Sequence, residues 1–243
     1  GNENGLSVYN RQTDRFHQIC GRNIPNVGVK SIMKDSQGYI WVGTRENGVY
    51  KYDIRNKRWF HLPQINKINS AQVVFEDSRH RIWIGSWGCG LCLIINPYDE
   101  NGKQKIVTMN TGNSNIASNF INTIAENPND HTLWIGTTEG LSVHSKDGVF
   151  VNYPDQQMPE EWNYMSRGIN HMMTDKDGRL WMCVNNGGVI TADVSPRLFT
   201  SFHLKPPLLS TRTDIINSIA TDKKRYLWLG LNNCGLATRS MST

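Results

Sequence analysis

Residues 35–53 read DSQGYIWVGTRENGVYKYD, and this stretch decides the fold because the chain repeats its pattern. A tryptophan between aliphatic residues is followed by a glycine, a short polar turn and a second glycine that opens another apolar run. Five copies are present, centred on Trp41, Trp83, Trp134, Trp181 and Trp228, at intervals of 42 to 51 residues. A drifting period in the forties indicates repeated supersecondary units that carry loop insertions.

Each repeat predicts four short β-strands. An apolar run comes first, and an acidic turn such as 35–38 follows, because Asp favours the first position of a type I turn and Gly its end. The strand with the central Trp comes next, then a third strand after the second glycine, and a fourth such as 57–62. Short strands with hairpin-sized connections predict an all-β chain, a β-propeller with one four-stranded blade per repeat.

The strand count predicts about five full repeats plus a partial one. Residues 5–19 read as the third and fourth strands of a preceding repeat, whereas the last repeat ends after its third strand, within 235–240. The third strand is therefore supplied twice. We expect a single β-propeller domain over residues 1–243, or a partial propeller that is a fragment of a larger one. An open arc would expose blade faces and strand edges, which favours a homodimer.

The repeated tryptophan is predicted to be scaffold. The second strand of a blade is packed on both faces, so it reads as continuous apolar residues with no solvent face. A Trp in that strand fills the wedge between neighbouring sheets, where burial contributes about 25 cal/mol per Å². The glycine that follows, as at Gly43 and Gly85, has no Cβ and permits close backbone approach. In the fourth repeat Cys183 takes this place.

Composition excludes two classes of function. The 243 residues carry a formal net charge of +5, with Lys and Arg scattered through turns. No stripe or helix face collects these charges, which argues against nucleic-acid binding. The sequence has no run of about 18 apolar residues and so predicts no membrane span of its own.

The repeat resembles the two-component regulator propeller repeat, whose pattern is roughly Asp-x-x-Gly-x-(Leu/Ile)-Trp-(Ile/Val)-Gly-Thr and then Gly-(Leu/Val). Residues 35–44 match this pattern in full, and the resemblance extends over all five copies. The departures from it are His80 and Arg225, which replace the turn glycine, and Cys183, which replaces the glycine after Trp181. A side chain with a Cβ is strained at positive φ. We therefore expect these two turns to adopt another conformation.

Repeats of this family form extracytoplasmic sensors of membrane histidine kinases, including hybrid two-component systems that respond to glycans. The resemblance implies a non-catalytic, periplasmic sensor module that signals to a kinase outside this chain. Its partners would be an oligosaccharide, and a neighbouring propeller or β-sandwich domain of the same full-length protein. A propeller that acts only as a protein–protein scaffold is the alternative, and a propeller lyase or hydrolase is a third hypothesis.

The sequence predicts no catalytic residue, metal site or cofactor. Cys89-Gly-Leu-Cys92 has the spacing of half a zinc site, but no matching second pair accompanies it. Cys89 and Cys234 occupy equivalent positions in non-adjacent blades, too far apart for a disulfide. Structural thiols are expected. No Ser/His/Asp or paired-carboxylate grouping is evident, and histidines that recur on outer strands, such as His61, belong to the repeat.

The candidate ligand site lies in the loops that interrupt the repeat. In propellers, the loops that join strand two to strand three, and blade to blade, open on one face. Their amides and aromatic rings suit sugar hydroxyls and ring faces, although Asn in tight loops also tolerates left-handed backbone. The candidate ligand-binding residues are Arg45, Glu46, Trp87, Glu139, Trp162, Tyr164, Arg167, Asn185, Asn186, Asn232 and Asn233. The start of the innermost strand is polar at the equivalent places Lys30, Gln72, Asn122, Asn170 and Asn217.

Overall fold

The computed structural model describes residues 1, 3, 5–19, 27–62, 68, 70–99, 104–153, 167–193, 199–202, 216–222, 226–231 and 235–240. Within this part of the chain every regular element is a β-strand. The same residues include no helix with the length and apolar character that a membrane crossing requires. The chain divides into two compact units, Gly1–Asn110 with Asn119–Ile121, and Thr111–Ser118 with Asn122–Thr243.

The first unit holds a two-stranded sheet and two four-stranded antiparallel blades, each with its strands in chain order. The two-stranded sheet is β1 (Leu6–Asn10) and β2 (Arg15–Ile19). Blade 1 is β3 (Val29–Lys34), β4 (Tyr39–Thr44), β5 (Val49–Asp53) and β6 (Arg58–His61). Blade 2 is β7 (Ala71–Glu76), β8 (Ile82–Ser86), β9 (Leu91–Ile95) and β10 (Lys105–Met109).

The second unit continues the series with two four-stranded blades and one three-stranded sheet. Blade 3 is β11 (Ile121–Glu126), β12 (Leu133–Thr137), β13 (Gly140–His144) and β14 (Phe150–Tyr153), its first residue belonging to the first unit. Blade 4 is β15 (Ile169–Thr174), β16 (Arg179–Val184), β17 (Gly188–Asp193) and β18 (Phe199–Phe202). The three-stranded sheet is β19 (Ile216–Thr221), β20 (Tyr226–Leu231) and β21 (Gly235–Ser240).

These elements confirm the predicted fold class, an all-β propeller with one blade per tryptophan repeat. The two strands over 5–19 and the three-stranded last repeat are also as expected within the described residues. The expectation of one domain over residues 1–243 stays a prediction.

The repeated tryptophan is hydrogen-bonded to the acidic turn of its own blade. The indole Nε1 of Trp41 donates to Asp35 at 2.7 Å, and Trp83 donates to Asp77 at 2.8 Å. The same Asp35 carboxylate accepts from the backbone N–H of Tyr39 at 2.7 Å. Each carboxylate therefore closes its turn and satisfies a buried indole at once, which is a stronger reason for Asp than turn preference alone.

Burial of the five tryptophans differs from blade to blade. Trp41, Trp83 and Trp181 are buried, as the wedge interpretation predicts. Trp134 is half-buried and donates to Thr132 Oγ1 at 3.2 Å. Trp228 keeps the bond to its turn Asp but is 36% exposed, so the prediction that all five are enclosed is wrong for this residue. Its three-stranded sheet is the last one in the described part of the chain.

The glycine after the tryptophan is required by close packing. A Cβ on Gly85 would lie 2.5 Å from Ile121 Cγ2 and 2.6 Å from Val73 Cγ1. A Cβ on Gly136 would lie 2.6 Å from Thr123 Cγ2. Real Cβ atoms do not approach other carbons this closely, so the predicted role of this glycine is confirmed.

The turn at His80 corrects one expectation. His80 has a φ of 59°, so it adopts the left-handed conformation that Gly38 adopts in blade 1. Its N–H donates to the carbonyl of Asp77 at 2.9 Å, as Gly38 N–H donates to Asp35 at 3.1 Å. His is one of the residues that tolerates this region best, and the closed turn outweighs the strain. Arg225, the other departure, lies outside the described residues.

Candidate functional site

Two aromatic side chains form an exposed platform on the loop face of the first unit. Trp87 follows β8 and Phe120 precedes β11, and the two residues form an isolated antiparallel bridge. Their ring centroids are 5.1 Å apart with an interplanar angle of 67°. Trp87 is 49% exposed and Phe120 39% exposed. We call this pair the Trp87 platform.

A stiff turn positions the Trp87 platform. Trp87 N–H donates to the carbonyl of Ser70 at 2.9 Å, and the N–H groups of Gly88 and Gly90 both donate to the carbonyl of Asn119 at 3.0 Å. Gly88 and Gly90 have φ values of 109° and 84°, which side chains with a Cβ rarely adopt. The aromatic rings therefore lie on a hydrogen-bonded backbone. A preorganised backbone lowers the entropy lost when a ligand binds.

The structure supports Trp87 as a surface residue and adds Phe120, which the sequence analysis missed. The sequence does contain a signal for Phe120. It is an aromatic residue directly before an innermost strand, in a loop that joins two blades and therefore opens on the same face as Trp87.

In blade 1 the predicted site residues Arg45 and Glu46 are exposed and follow β4. Arg45 N–H donates to the carbonyl of Gly28 at 2.8 Å, which positions its backbone. Its guanidinium lies 3.5 Å from the Glu3 carboxylate, and Lys30 Nζ lies 3.4 Å from the same group. Exposed ion pairs of this length hold side chains weakly. These ion pairs therefore do not fix the side chains of Arg45 and Lys30 in one position.

In the second unit the predicted site residues serve partly as turn structure. Glu139 is exposed, and its N–H donates to Thr137 Oγ1 at 3.1 Å. Asn186 has a φ of 54°, and its carbonyl accepts from Arg167 Nη1 at 2.9 Å. Asn185 N–H donates to the carbonyl of Gly168 at 2.8 Å. This favours the structural interpretation of Asn186, because its backbone is left-handed.

Four predicted site residues, Trp162, Tyr164, Asn232 and Asn233, lie outside the described residues.

Four of the five polar residues at the start of the innermost strands lie at β-bulges. The strand register shifts by one residue at Lys30, Gln72, Asn170 and Asn217. Asn122 Nδ2 donates to the carbonyl of Ile169 at 3.0 Å, and Asn170 Nδ2 to that of Ile216 at 3.4 Å. Both amides thus link consecutive sheets of the second unit. Architecture explains them without a ligand.

A Ser–Glu–His cluster, also missed by the sequence analysis, lies at the turns between strands one and two. Ser36 Oγ donates to Glu76 Oε1 at 2.5 Å, and His80 Nδ1 lies 2.9 Å from Ser36 Oγ and 3.2 Å from Glu76 Oε1. A nucleophile–base–acid relay uses one imidazole nitrogen for the hydroxyl and the other for the acid. Here one nitrogen faces both groups and the hydroxyl proton is engaged by the carboxylate, so the geometry closes turns and activates no nucleophile.

Three of the five cysteines lie in the part of the chain that the structure describes. Cys89, Cys92 and Cys183 form no disulfide, and burial raises the pKa of the Cys92 thiol to about 11. Groups of three His, Cys, Asp or Glu residues that could hold a metal do not occur among the described residues.

A polar cleft of about 140 Å³ lies beside Asp53 in blade 1. Asp53 accepts two backbone N–H bonds and one from Asn56 Nδ2, and these bonds lower its pKa.

The comparisons with known proteins support the predicted resemblance. Residues 23–46 match the family model for the two-component regulator propeller, in agreement with the resemblance that the repeat shows. A segment of 81 residues, 30% of this chain, is 30% identical to histidine kinase P4 of Formosa agariphila and spans 6% of that protein.

Among solved structures, the chain is similar to the extracellular domain of a hybrid two-component system from B. thetaiotaomicron. The TM-score is 0.76 at 20% identity, over 97% of this chain and 30% of that one. It is also similar to virginiamycin B lyase from Staphylococcus aureus, solved in a catalytically inactive form with quinupristin. That TM-score is 0.69 at 14% identity, over 97% of this chain and 73% of the lyase. At these identities the likeness shows the propeller fold.

Proposed function

We propose that this chain is a non-catalytic sensor module of a two-component regulatory system, exposed on the extracytoplasmic side of a membrane. It binds a carbohydrate-like ligand through the Trp87 platform and signals to a kinase outside this chain. The match to the two-component regulator propeller family and to extracellular domains of such systems supports the sensor role. The exposed aromatic pair, Trp87 and Phe120, is the observation that supports a carbohydrate-like ligand.

The chemistry of the Trp87 platform fits a sugar ring. A pyranose presents apolar C–H groups on its faces and hydroxyls at its rim, so it stacks on an indole and hydrogen-bonds at its edge. Trp87 supplies the flat face and Phe120 fixes its orientation, because the two rings meet edge to face. Arg45 and Glu46 occupy the equivalent loop of the preceding blade and provide donors and acceptors for hydroxyl groups.

Signalling requires that the ligand favour one arrangement of domains over another, since equal affinity for both would shift nothing. A neighbouring propeller or β-sandwich domain of the full-length protein is the partner we propose for that step. The ligand would lie between this loop face and that partner, so affinity would depend on both.

A sensor and an enzyme differ in whether the bound oligosaccharide is converted into product. The propeller fold also carries a lyase. The support for a non-catalytic role is the geometry of the Ser36–Glu76–His80 cluster, which does not form a relay. Incubation with an oligosaccharide that binds, followed by mass spectrometry, is expected to recover the oligosaccharide intact.

A substitution pair tests the ligand site. Trp87→Ala and Phe120→Ala each remove one face of the Trp87 platform, and loss of a stacked aromatic is expected to weaken oligosaccharide binding by about 10-fold or more. The melting temperature should change little, because both rings are substantially exposed. A glycan panel first identifies the oligosaccharide, and isothermal titration calorimetry then measures its affinity for each variant.

Phe16→Ala is the matched control, since Phe16 is an exposed aromatic on β2 that contacts Tyr9. It should leave oligosaccharide affinity unchanged. Unaltered affinity in both platform variants would disprove the site assignment. No binding on the glycan panel, together with a clear protein complex, would favour the scaffold alternative.

A further inference from the structure

Blade 4 departs from the repeat at two positions that face each other. The second residue after the central Trp is glycine in the other repeats and Cys183 in blade 4. The residue opposite it on the first strand is small or β-branched elsewhere and His171 in blade 4. The pairs in the other repeats are Ser31 with Gly43, Val73 with Gly85, Thr123 with Gly136, and Ser218 with Gly230.

His171 and Cys183 point to the same face of the blade. Directly opposed residues of an antiparallel pair have side chains on one face of the sheet. At the equivalent position of blade 3, a Cβ on Gly136 would lie 2.6 Å from the Thr123 side chain. Cys183 puts a real Cβ and a thiol at that position, on the face that it shares with His171. Cys183 itself is fully buried.

Met173 adds a third donor to the same face. It lies two residues beyond His171 on β15, and alternate residues of a strand share a face. Met173 and Cys183 both pack in one apolar cluster, with Ile216 and Leu229 of the three-stranded sheet. One nitrogen-bearing and two sulfur-bearing side chains therefore border a wedge with apolar walls.

The imidazole has unused binding capacity. Nδ1 of His171 is buried and has no hydrogen-bond partner in the described part of the chain. In two other blades the residue at this position is engaged, since Ser31 Oγ accepts from Val74 N–H at 3.0 Å and Thr123 Oγ1 from Met172 N–H at 3.1 Å. A buried polar atom without a partner is unusual in a native structure, and a bound ion is one explanation for it.

We propose that His171, Cys183 and Met173 bind a single Cu(I) ion in blade 4. Thiolate and thioether sulfur are soft ligands that select Cu(I), and imidazole suits copper as well. Cu⁺ bound to one thiolate is neutral overall, which suits an apolar wedge. Zn²⁺ would leave a net positive charge there, and structural zinc takes four ligands without thioether sulfur.

The binding step balances with one proton released. The thiol of Cys183 loses its proton as the sulfur bonds to Cu⁺, and the neutral imidazole and the thioether each donate a lone pair. Metal binding is therefore predicted to weaken as the pH falls.

Anaerobic titration of the chain with Cu(I), in competition with the chelator bicinchoninate, tests the proposal. The expected result is one Cu(I) per chain. Cys183→Gly should weaken binding by at least about 100-fold, because removal of a direct ligand costs more than loss of a group that orients one. His171→Thr and Met173→Leu should each weaken it as well. Cys183→Gly and His171→Thr restore residues used elsewhere in the repeat, and circular dichroism checks their fold.

Cys89→Ser is the matched control, because Cys89 is a partly exposed thiol in another blade. It should leave the affinity and stoichiometry of Cu(I) unchanged. The proposal is overturned if the wild-type chain binds no Cu(I), or if Cys183→Gly binds it as tightly as wild type. Loss of binding in Cys89→Ser alone would also overturn it, since the metal would then be held by a different thiol.

Discussion

At the residue scale, Lys51 shows that a charged side chain, which is usually at the surface, can be buried in the core. Lys51 lies on β5 and is 2% exposed. Its Nζ donates to the carbonyl of Pro97 at 2.9 Å and lies over four aromatic rings, at 4.8 Å from Tyr39, 5.2 Å from Phe60, 5.6 Å from Tyr98 and 5.8 Å from Trp41. The rings replace part of the water that an ammonium loses on burial. One side chain thereby joins blade 1 to the loop after β9.

Replacement of this ammonium is predicted to destabilise the fold. Lys51→Met keeps most of the side-chain volume but removes the charge and the donor to Pro97. The expected loss is about 2 kcal/mol of unfolding free energy, from desolvated cation–π contact and a carbonyl left unpaired. Urea denaturation measures it. Lys105→Met, at an exposed lysine on β10, is the control and should change stability by less than about 0.5 kcal/mol. Equal losses of stability in Lys51→Met and Lys105→Met would contradict the stabilising role given to the aromatic rings around Lys51.

At the scale of the element, a blade is defined by one turn and one close approach. The Asp of the acidic turn accepts a backbone N–H of that turn and also the indole N–H of the central Trp. The glycine two residues after the Trp allows neighbouring strands to pack closely. Gly85 sits against Val73 of its own blade and against Ile121. The repeat thus encodes hydrogen-bond satisfaction and packing density together, in about ten residues.

Gly85→Ala is predicted to cost about 1–3 kcal/mol of stability, because the new methyl group overlaps Val73 and Ile121. Chemical denaturation monitored by tryptophan fluorescence measures it. The double variant Val73→Ala/Gly85→Ala should lose less than the sum of the two single losses, since the methyl group then has room on one side. Additive losses would show that the backbone relaxes elsewhere and that the close approach is not the reason for glycine.

At the scale of the whole molecule, the first and last sheets present apolar side chains to solvent. Val8, Tyr9 and Phe16 are exposed in the two-stranded sheet. Trp228 and Leu236 are exposed in the three-stranded sheet, whereas Trp41 at the equivalent position of blade 1 is fully buried. Within the first unit, Trp41 packs in one apolar cluster with Val74 and Ile82 of blade 2. Exposed apolar faces of this kind favour association.

We expect the chain to self-associate through these faces, as the sequence analysis also predicts. Light scattering over a range of concentrations should show a rise in average mass. Leu236→Glu should lower that mass toward the monomer, because a charge on the face opposes its burial. Val107→Glu, at an exposed valine on β10, is the control and should leave the mass unchanged. A monomer at all concentrations in the wild type would contradict this expectation.

The sequence alone determined the repeat, the four-stranded blades, the buried position of most central tryptophans and the need for glycine beside them. These features follow from local patterns, because alternation of apolar residues and turn chemistry act over a few neighbours and recur five times. The candidate loops followed as well, since they are what interrupts the pattern. Arg45, Glu46, Trp87 and Glu139 are exposed in those loops.

Only the tertiary structure decided which distant residues meet. Phe120 joins Trp87 from 33 positions further along the chain, Lys51 reaches the loop at Pro97, and Cys183 faces His171 across a strand pair. It also placed His80 in a left-handed turn and left Trp228 partly exposed. The physical reason is that such contacts depend on how separate strands and sheets pack, and packing at native density is set by all neighbours at once and not by local periodicity.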